Sequence, residues 1–198
     1  TRMELNLPSL EVDLPVEGVG YLRIPDFDFD IPMIVESALE SLHAIGPGTI
    51  VIDLRDNPGG YIDAVLDVAS EFISDGIVLE TTGPDQDFQY ASRGGATATA
   101  ERLIVLVNGG TASAAEILAG ALRDRRDAVI LGQPTFGKNA VQIPFPLRNG
   151  GEFHVAVAHW NTPNGTSVVD TGLIPDRLVE FPENPTIEEL VVFALQNS

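Results

Sequence analysis

Two kinds of hydrophobic pattern alternate along this chain. Continuous apolar runs at residues 49–54 and 103–107 are typical of strands that are buried on both faces. Between them, apolar positions recur at helical spacing over residues 62–73. Similar patterns predict further strands at residues 19–24, 128–131, 141–145 and 153–158, and helices at residues 34–45, at residues 117–122 and from Thr186, which has the capping-box spacing to Glu189. Strands that alternate with helices predict an α/β core.

The intervening segments contain no internal repeat and no inter-domain linker. Residues 83–100 are polar and aperiodic, so they are predicted to form the most mobile loop. A length of 198 residues suits one core, and we expect residues 1–198 to form a single domain. The chain starts at Thr1 in mid-pattern, which indicates a trimmed piece of a longer protein.

Composition excludes several classes of function. The formal net charge of −18 argues against nucleic acid and against anionic membrane surfaces. No apolar run approaches the ~18 residues of a membrane helix, and the absence of cysteine excludes disulfides and thiolate zinc sites. The three histidines lack metal-ligand spacing, and Ile31 stands where the calcium loop that Asp26, Asp28 and Asp30 imitate would need glycine. We therefore expect no metal and no cofactor.

Two strand-to-helix turns carry the candidate chemistry. The glycine turn (residues 53–60) ends in Gly59 and Gly60, which suit an ordinary turn and also suit backbone N–H groups that face a reacting carbonyl. The serine turn (residues 108–113) ends in Ser113 at the predicted start of a helix. Ser113 could cap that helix, or it could act as a nucleophile with the N–H of Ala114 as a donor to the oxyanion.

A lysine follows in the lysine loop (residues 132–142). Most loop lysines are solvated charges, but Lys138 has glycine and apolar neighbours in a chain with only 11 basic residues. A lysine that serves as a general base must be neutral, and burial favours the neutral form. Phe136 and Val141 could supply an apolar wall for it. A pair of Ser113 and Lys138 would need neither histidine nor metal.

The spacing of these residues resembles that of a known family. Lys138 follows Ser113 by 25 positions and Gln142 follows Lys138 by 4, as in the C-terminal processing peptidases, which are also called tail-specific proteases. The glycine turn and residues 161–165 and 172–176 resemble further motifs of that family, in the same order. The resemblance covers about residues 18 to 180. It departs from the family at Asn139, where glycine is common.

The resemblance implies a serine endopeptidase that cleaves protein substrates near their C termini. Its fold would be the core of repeated β-β-α units that Clp proteases and crotonases share. In this family Ser113 would be the nucleophile, Lys138 the general base and Gln142 the residue that orients Lys138.

The same resemblance assigns the supporting groups. The oxyanion would be held by the N–H of Ala114 and by that of Gly59 or Gly60, and Glu116 matches a family glutamate with a structural role. We also expect an extracytoplasmic location (periplasmic, secreted or in the cell envelope). We expect the family's PDZ domain to lie outside these residues, and recognition of a free substrate C terminus to be weak without it.

Two alternatives remain open at this stage. A crotonase-type acyl-CoA hydratase or isomerase shares the fold, but it would need acidic catalytic residues and basic groups for CoA, which the sequence does not mark. An inactive pseudo-protease that binds peptides would also keep the fold, although the presence of both Ser113 and Lys138 speaks against it. The oligomeric state is not indicated by any of these patterns.

Overall fold

A computed structural model of the protein describes residues 10–84, 86–99 and 101–198. Within them, fourteen helices and strands follow one another along the chain. They are β1 (Glu11–Val16), β2 (Val19–Arg23), α1 (Ile31–His43), β3 (Thr49–Asp53), α2 (Ile62–Phe72), β4 (Ile77–Thr82), β5 (Asp87–Ala91), β6 (Arg102–Val107), α3 (Ala114–Arg126), β7 (Val129–Gly132), β8 (Ala140–Pro146), β9 (Glu152–Asn161), β10 (Arg177–Leu178) and α4 (Ile187–Asn197).

The strands form two sheets. The larger sheet has the order β1-β2-β3-β6-β7-β10, in which β1 pairs antiparallel with β2 and every other pair is parallel. The smaller sheet is antiparallel with the order β5-β4-β9-β8. Because β3 and β6 are neighbours in register, with Asp53 opposite Leu106, their carboxyl ends lie side by side. The two turns singled out in the sequence leave the large sheet at this edge.

Apolar side chains fill both faces of the large sheet. Helices α1, α2 and α3 pack on one face, where the main core includes Leu39, Val65 and Leu118. Helix α4 covers part of the other face through Leu190 and Val191. Burial on both faces explains why β3 and β6 read as unbroken apolar runs. None of the helices in the described residues is long and apolar enough to cross a membrane.

The predicted elements are confirmed with shifted ends, and the α/β class is confirmed. Helix α4 begins after Thr186, and the Thr186 hydroxyl accepts a hydrogen bond from the Glu189 N–H at 3.2 Å, as a capping box requires. The patterns missed β1, β4, β5 and β10. Strand β1 lies at a sheet edge with its first four residues exposed, so it has no alternating apolar face to detect.

The prediction of a loop at residues 83–100 is wrong for Asp87–Ala91, which form β5, while the other described residues of this segment lie outside helices and strands. The prediction falls in part on Asp85 and Ala100, which lie outside the described residues. Strand β5 occupies the centre of this segment and pairs with β4. Farther on, the Arg93 guanidinium forms ion pairs with Asp63 and Asp67 of α2. The segment is polar because its contacts are made with hydrogen bonds and charges, and not because it lacks contacts.

Candidate active site

The glycine turn and the serine turn are joined directly to one another. Each follows a strand of the same parallel pair, which brings polar side chains to one edge of the sheet. Four hydrogen bonds connect them. The Thr111 hydroxyl donates to the Leu54 carbonyl at 2.8 Å, and the Ala112 N–H donates to the Asn57 carbonyl at 2.9 Å. The Asn108 side-chain amide donates to Asp56 Oδ1, and the Asp56 N–H donates to Asn108 Oδ1, both at 2.9 Å. The two turns therefore form one rigid unit.

Within the glycine turn, a buried asparagine fixes the backbone. The Asn57 amide donates to the Ile24 carbonyl at 2.9 Å, and its Oδ1 accepts the N–H of Gly59 at 2.8 Å. The N–H of Gly59 is therefore occupied, whereas the N–H of Gly60 has no acceptor among the described residues. Of the two glycines predicted for the oxyanion, Gly60 is thus the one with an available donor.

Gly59 explains how closely the two turns approach. Its φ is +96°, and a Cβ placed on it would lie 2.8 Å from the Ser113 Cβ and 2.9 Å from the Ala114 nitrogen. Only glycine tolerates both this backbone conformation and this contact. The glycine turn consequently packs against the start of α3, where the sequence places the second predicted donor, Ala114.

Ser113 has a backbone conformation that is uncommon for a residue other than glycine. Its φ is 55° and its ψ is −118°, directly before the first residue of α3. Strained backbone of this kind is found preferentially at active sites, and nucleophilic serines occur at similarly sharp strand-to-helix turns. Ser113 and Glu116 stand in the arrangement of a capping box, in which the Glu116 carboxylate accepts the Ser113 N–H, but the Ser113 hydroxyl makes no capping hydrogen bond of ordinary geometry to α3. The conformation supports the nucleophile interpretation over the capping one.

Thr111, the other candidate cap, has a different role. Its buried hydroxyl accepts the N–H of Asn108 at 3.0 Å in addition to donating to Leu54. Thr111 therefore ties the serine turn to the glycine turn and does not cap α3.

Glu116 links the serine turn to the lysine loop. This carboxylate is fully buried in the first turn of α3, and each of its oxygens accepts two hydrogen bonds. The donors are the Ser113 N–H at 2.7 Å and the Lys138 N–H at 3.0 Å to Oε2, and the Thr135 hydroxyl at 2.5 Å and the Gly137 N–H at 2.8 Å to Oε1. The backbone nitrogens of Ser113 and Lys138 thus lie within two hydrogen-bond lengths of one another.

Lys138 is the only lysine of the chain. It is partly buried, and its carbonyl accepts the Trp160 indole N–H at 3.1 Å. Its ammonium group has no ion pair or hydrogen bond to the described residues, and none joins it to the Ser113 hydroxyl. The expected apolar wall is only half present, because Val141 packs against the core but Phe136 is 69% exposed.

Gln142 and Asn139 lie on either side of the start of β8. Gln142 is exposed next to a register shift between Val141 and Gln142, and in the described part of the chain its side chain has no hydrogen bond to Lys138. Asn139, which replaces the common family glycine, is buried, and its Oδ1 lies 2.8 Å from His159 Nδ1. The asparagine is thus accommodated by a contact to β9.

Sequence reasoning missed the buried residues that hold the site together. The roles of Asn57, Thr135 and Trp160 arise from tertiary contacts that no local pattern reveals. Lys138, by contrast, was marked in the sequence by its spacing to Ser113 and by its glycine and apolar neighbours. In the part of the chain that the structure describes, no group of three or more His, Cys, Asp or Glu side chains could hold a metal ion.

A cluster of polar side chains holds the start of the glycine turn in place. The fully buried Asp53 accepts the Tyr21 hydroxyl at 2.8 Å and forms a two-pronged ion pair with Arg55. Burial, and after it the negative charge of Asp53, raises the pKa of Tyr21 above its ordinary value. The Arg55 guanidinium lies 4.8 Å from the centre of the Phe181 ring. These contacts fix where β3 ends.

This combination of fold and site is that of a serine peptidase family. The sequence profile of peptidase family S41 matches residues 18–179, and the chain belongs to this family. It is 37% identical over 186 residues to the carboxyl-terminal-processing protease of Synechocystis sp., a match that covers 92% of this chain and 44% of that protein. It is also 37% identical over 194 residues to the chloroplastic carboxyl-terminal-processing peptidase 2 of Arabidopsis thaliana, covering 92% and 38%.

Solved structures agree with the family assignment. A photosystem II D1 C-terminal processing protease superposes with a TM-score of 0.79 at 29% identity, covering 91% of this chain and 50% of that one. The tricorn protease, at 17% identity and a TM-score of 0.53, shares the fold. The predicted family and fold are confirmed. The chain spans less than half the length of the Synechocystis and Arabidopsis proteins.

Proposed function

We propose that this chain is the catalytic core of a serine endopeptidase that cleaves protein substrates near their C termini. The observation that carries the proposal is the strained Ser113 at the start of α3, held by the buried Glu116 that also holds the backbone of Lys138. Family membership and the names of the relatives support the same reaction and the same kind of substrate.

The reaction begins when the Ser113 Oγ attacks the scissile carbonyl carbon while Lys138 accepts the hydroxyl proton. The carbonyl oxygen becomes an oxyanion, which the N–H groups of Ala114 and Gly60 stabilise. The C–N bond then breaks, and the departing amine takes the proton from Lys138. Water, with Lys138 again as the base, hydrolyses the acyl-enzyme and releases the new C terminus.

Proton transfer requires the lysine amine to come within hydrogen-bond distance of Ser113 Oγ. The lysine backbone is anchored by Glu116 and Trp160, while the side chain has no competing ion partner within the described residues. A long, flexible side chain on a fixed backbone can make this approach when substrate excludes water. Gln142 would orient the amine through its side-chain amide, after a rotation that its exposed position on β8 permits.

Covalent labelling tests the proposal. The protein is treated with a small fluorophosphonate, and the modified residue is mapped by mass spectrometry. If Ser113 is labelled in the wild type and the labelling is lost in Lys138→Ala, the roles of Ser113 as nucleophile and Lys138 as base are supported. Absence of labelling under conditions that label a known serine peptidase would contradict it and favour an inactive peptide-binding domain.

Two finer points belong to the same proposal. Cleavage near the C terminus rests on the relatives' names, and it is tested by locating the cut sites in an unfolded protein substrate by mass spectrometry. An extracytoplasmic location rests on the family resemblance. The test is to fractionate the source cells and to detect the protein with an antibody. Detection in the cytoplasmic fraction would contradict the expectation.

A further inference from the structure

Two exposed aromatic rings lie beside the glycine turn. Phe29 and Tyr61 stack with their ring centroids 3.9 Å apart and their planes 24° from parallel. Phe29 is 74% exposed and Tyr61 is 46% exposed, so the fold leaves most of this apolar surface in contact with water. Neither ring contributes to the buried core. Contiguous exposed apolar surface of this kind often marks a binding site.

The backbone fixes these rings relative to the proposed oxyanion donor. Tyr61 follows Gly60 directly, and its N–H donates to the Phe27 carbonyl at 2.8 Å. The Phe27 N–H in turn donates to the Gly59 carbonyl at 3.0 Å, and the Phe27 side chain is fully buried. Phe29 lies only two residues beyond this anchor. The aromatic pair is therefore held by the same backbone that presents the Gly60 N–H.

Few residues along the backbone separate Tyr61 from the glycine that packs against the nucleophile. Gly59 packs against Ser113, and Tyr61 is two residues farther along the chain, directly before α2. A peptide whose carbonyl oxygen lies between the N–H groups of Gly60 and Ala114 would lie next to Tyr61, because Tyr61 follows Gly60 directly. Side chains of that peptide near the scissile bond then come within reach of the aromatic pair.

We propose that Phe29 and Tyr61 form an apolar subsite that binds an aromatic or branched aliphatic side chain of the substrate close to the scissile bond. This inference rests on the proposed peptidase function. Aromatic rings favour such partners through apolar burial and ring stacking. Asp28 and Asp30 flank Phe29 and are exposed, so an acidic side chain in the same position is disfavoured by like charge.

The test compares matched peptide substrates that differ at one position near the cut site. Each position is occupied in turn by Phe, Leu, Ser or Asp, and kcat/KM is measured for the wild type. At one position, Phe or Leu should exceed Ser by about tenfold or more, as a hydrophobic pocket typically discriminates, and Asp should be the poorest. The difference should lie mainly in KM, because the contact is made equally in the ground state and the transition state.

Variants assign the preference to the rings. Phe29→Ala and Tyr61→Ala should each lower the Phe-to-Ser ratio at that position by at least about threefold, whereas Tyr61→Phe should keep it, because the ring and not the hydroxyl makes the contact. Phe88→Ala is the matched control, since Phe88 is 50% exposed but lies on β5 of the other sheet. It should leave the ratio unchanged.

Labelling by the small fluorophosphonate separates this inference from the function on which it rests. The reagent carries no peptide side chain, so its reaction with Ser113 of the wild type tests the nucleophile without involving the subsite. Normal labelling with no apolar preference at any position, or with the full preference retained in both alanine variants, would overturn the subsite alone. No labelling of the wild type would overturn both proposals.

Discussion

The part of the site around the nucleophile is held more rigidly than the part around the lysine. On the nucleophile side, α3 begins with buried residues, and hydrogen bonds join the serine turn to the glycine turn. On the lysine side, β8 is an edge strand whose last five residues are exposed, and it continues into the exposed start of β9. Glu116 and Trp160 are the anchors near Lys138.

This contrast in rigidity matches what the nucleophile and the general base each require. A nucleophile and its oxyanion donors must be placed within fractions of an ångström, and a rigid unit provides this. A general base needs only to reach one proton, so a long side chain on an anchored backbone is sufficient. We therefore expect substitutions on the two sides to have different consequences for activity and stability.

The largest effect is expected at the nucleophile. Ser113→Ala should lower kcat by at least about 10⁴-fold, because no other group can form the acyl-enzyme. Its thermal midpoint should stay close to that of the wild type, since the side chain makes no capping hydrogen bond. The comparison is peptide hydrolysis and thermal unfolding beside Ser37→Ala, an exposed serine on α1. Retained hydrolysis in Ser113→Ala would show that the nucleophile lies elsewhere.

The next largest effect is expected at the base. Lys138→Arg should lower kcat by at least about 10²-fold although it keeps a cation, because arginine does not deprotonate. Replacement of all three histidines by glutamine should reduce activity by less than tenfold. Rates of both variants are measured across pH 6 to 10. An active arginine variant, or an inactive histidine-free variant, would mean that Lys138 is not the base.

Glu116 connects the two sides, so its substitution should damage both. Glu116→Gln keeps the shape but turns an amide N–H₂ toward backbone N–H donors, which should cost about 3 kcal/mol of unfolding free energy. Activity should fall with it, because Ser113 and Lys138 lose their shared acceptor. Glu36→Gln, at an exposed position of α1, should change stability by less than about 0.5 kcal/mol. Equal denaturant midpoints for the two variants would contradict the role of Glu116.

Gln142 should have a smaller effect that is confined to activity. Gln142→Ala should lower kcat by about tenfold, less than the roughly 10²–10⁴ that a general base itself contributes. Stability should be unchanged, since the residue is exposed on an edge strand. Gln133→Ala, an exposed glutamine earlier in the lysine loop, serves as the control. If both variants keep full activity, the orienting role of Gln142 is wrong.

The smallest effect concerns stability at high pH. Burial and Asp53 raise the pKa of Tyr21 in the folded protein above its unfolded value of 10.0. The contribution of the protonated tyrosine is therefore complete below pH 10 and is lost as pH rises from there through the folded pKa. Urea midpoints at pH 8 to 11 should fall more steeply for wild type than for Tyr21→Phe. Parallel curves would show that Tyr21 does not titrate with folding.

The strands and helices that could be predicted are those whose burial shows in the pattern of apolar residues within the element itself. Strands β3 and β6 contain continuous apolar runs at residues 50–52 and 103–107, because both faces of the parallel sheet are covered. Strands β1 and β5 could not be predicted, since their residues are mostly exposed and their pairing partners lie elsewhere in the chain. For the same reason, the whole segment 83–100 was predicted as a loop although it contains β5.

The same distinction applies to the candidate site, where reacting residues were predictable from the sequence but their contacts were not. Ser113 and Lys138 were predictable from residue type and spacing, because chemistry restricts which residues can act. The choice between Gly59 and Gly60 depends on which N–H Asn57 already occupies, and that requires geometry. The four hydrogen bonds to Glu116 likewise join segments that are distant in sequence.

We expect Ser113, Lys138 and the N–H groups of Gly60 and Ala114 to act on one carbonyl. A crystal structure of the fluorophosphonate adduct measures this most directly. Phosphorus should be bonded to Ser113 Oγ, and a phosphoryl oxygen should lie at about 2.7–3.1 Å from both backbone nitrogens, with the Lys138 amine within hydrogen-bond distance of Oγ. An adduct on another residue, or a phosphoryl oxygen that points away from both N–H groups, would contradict it.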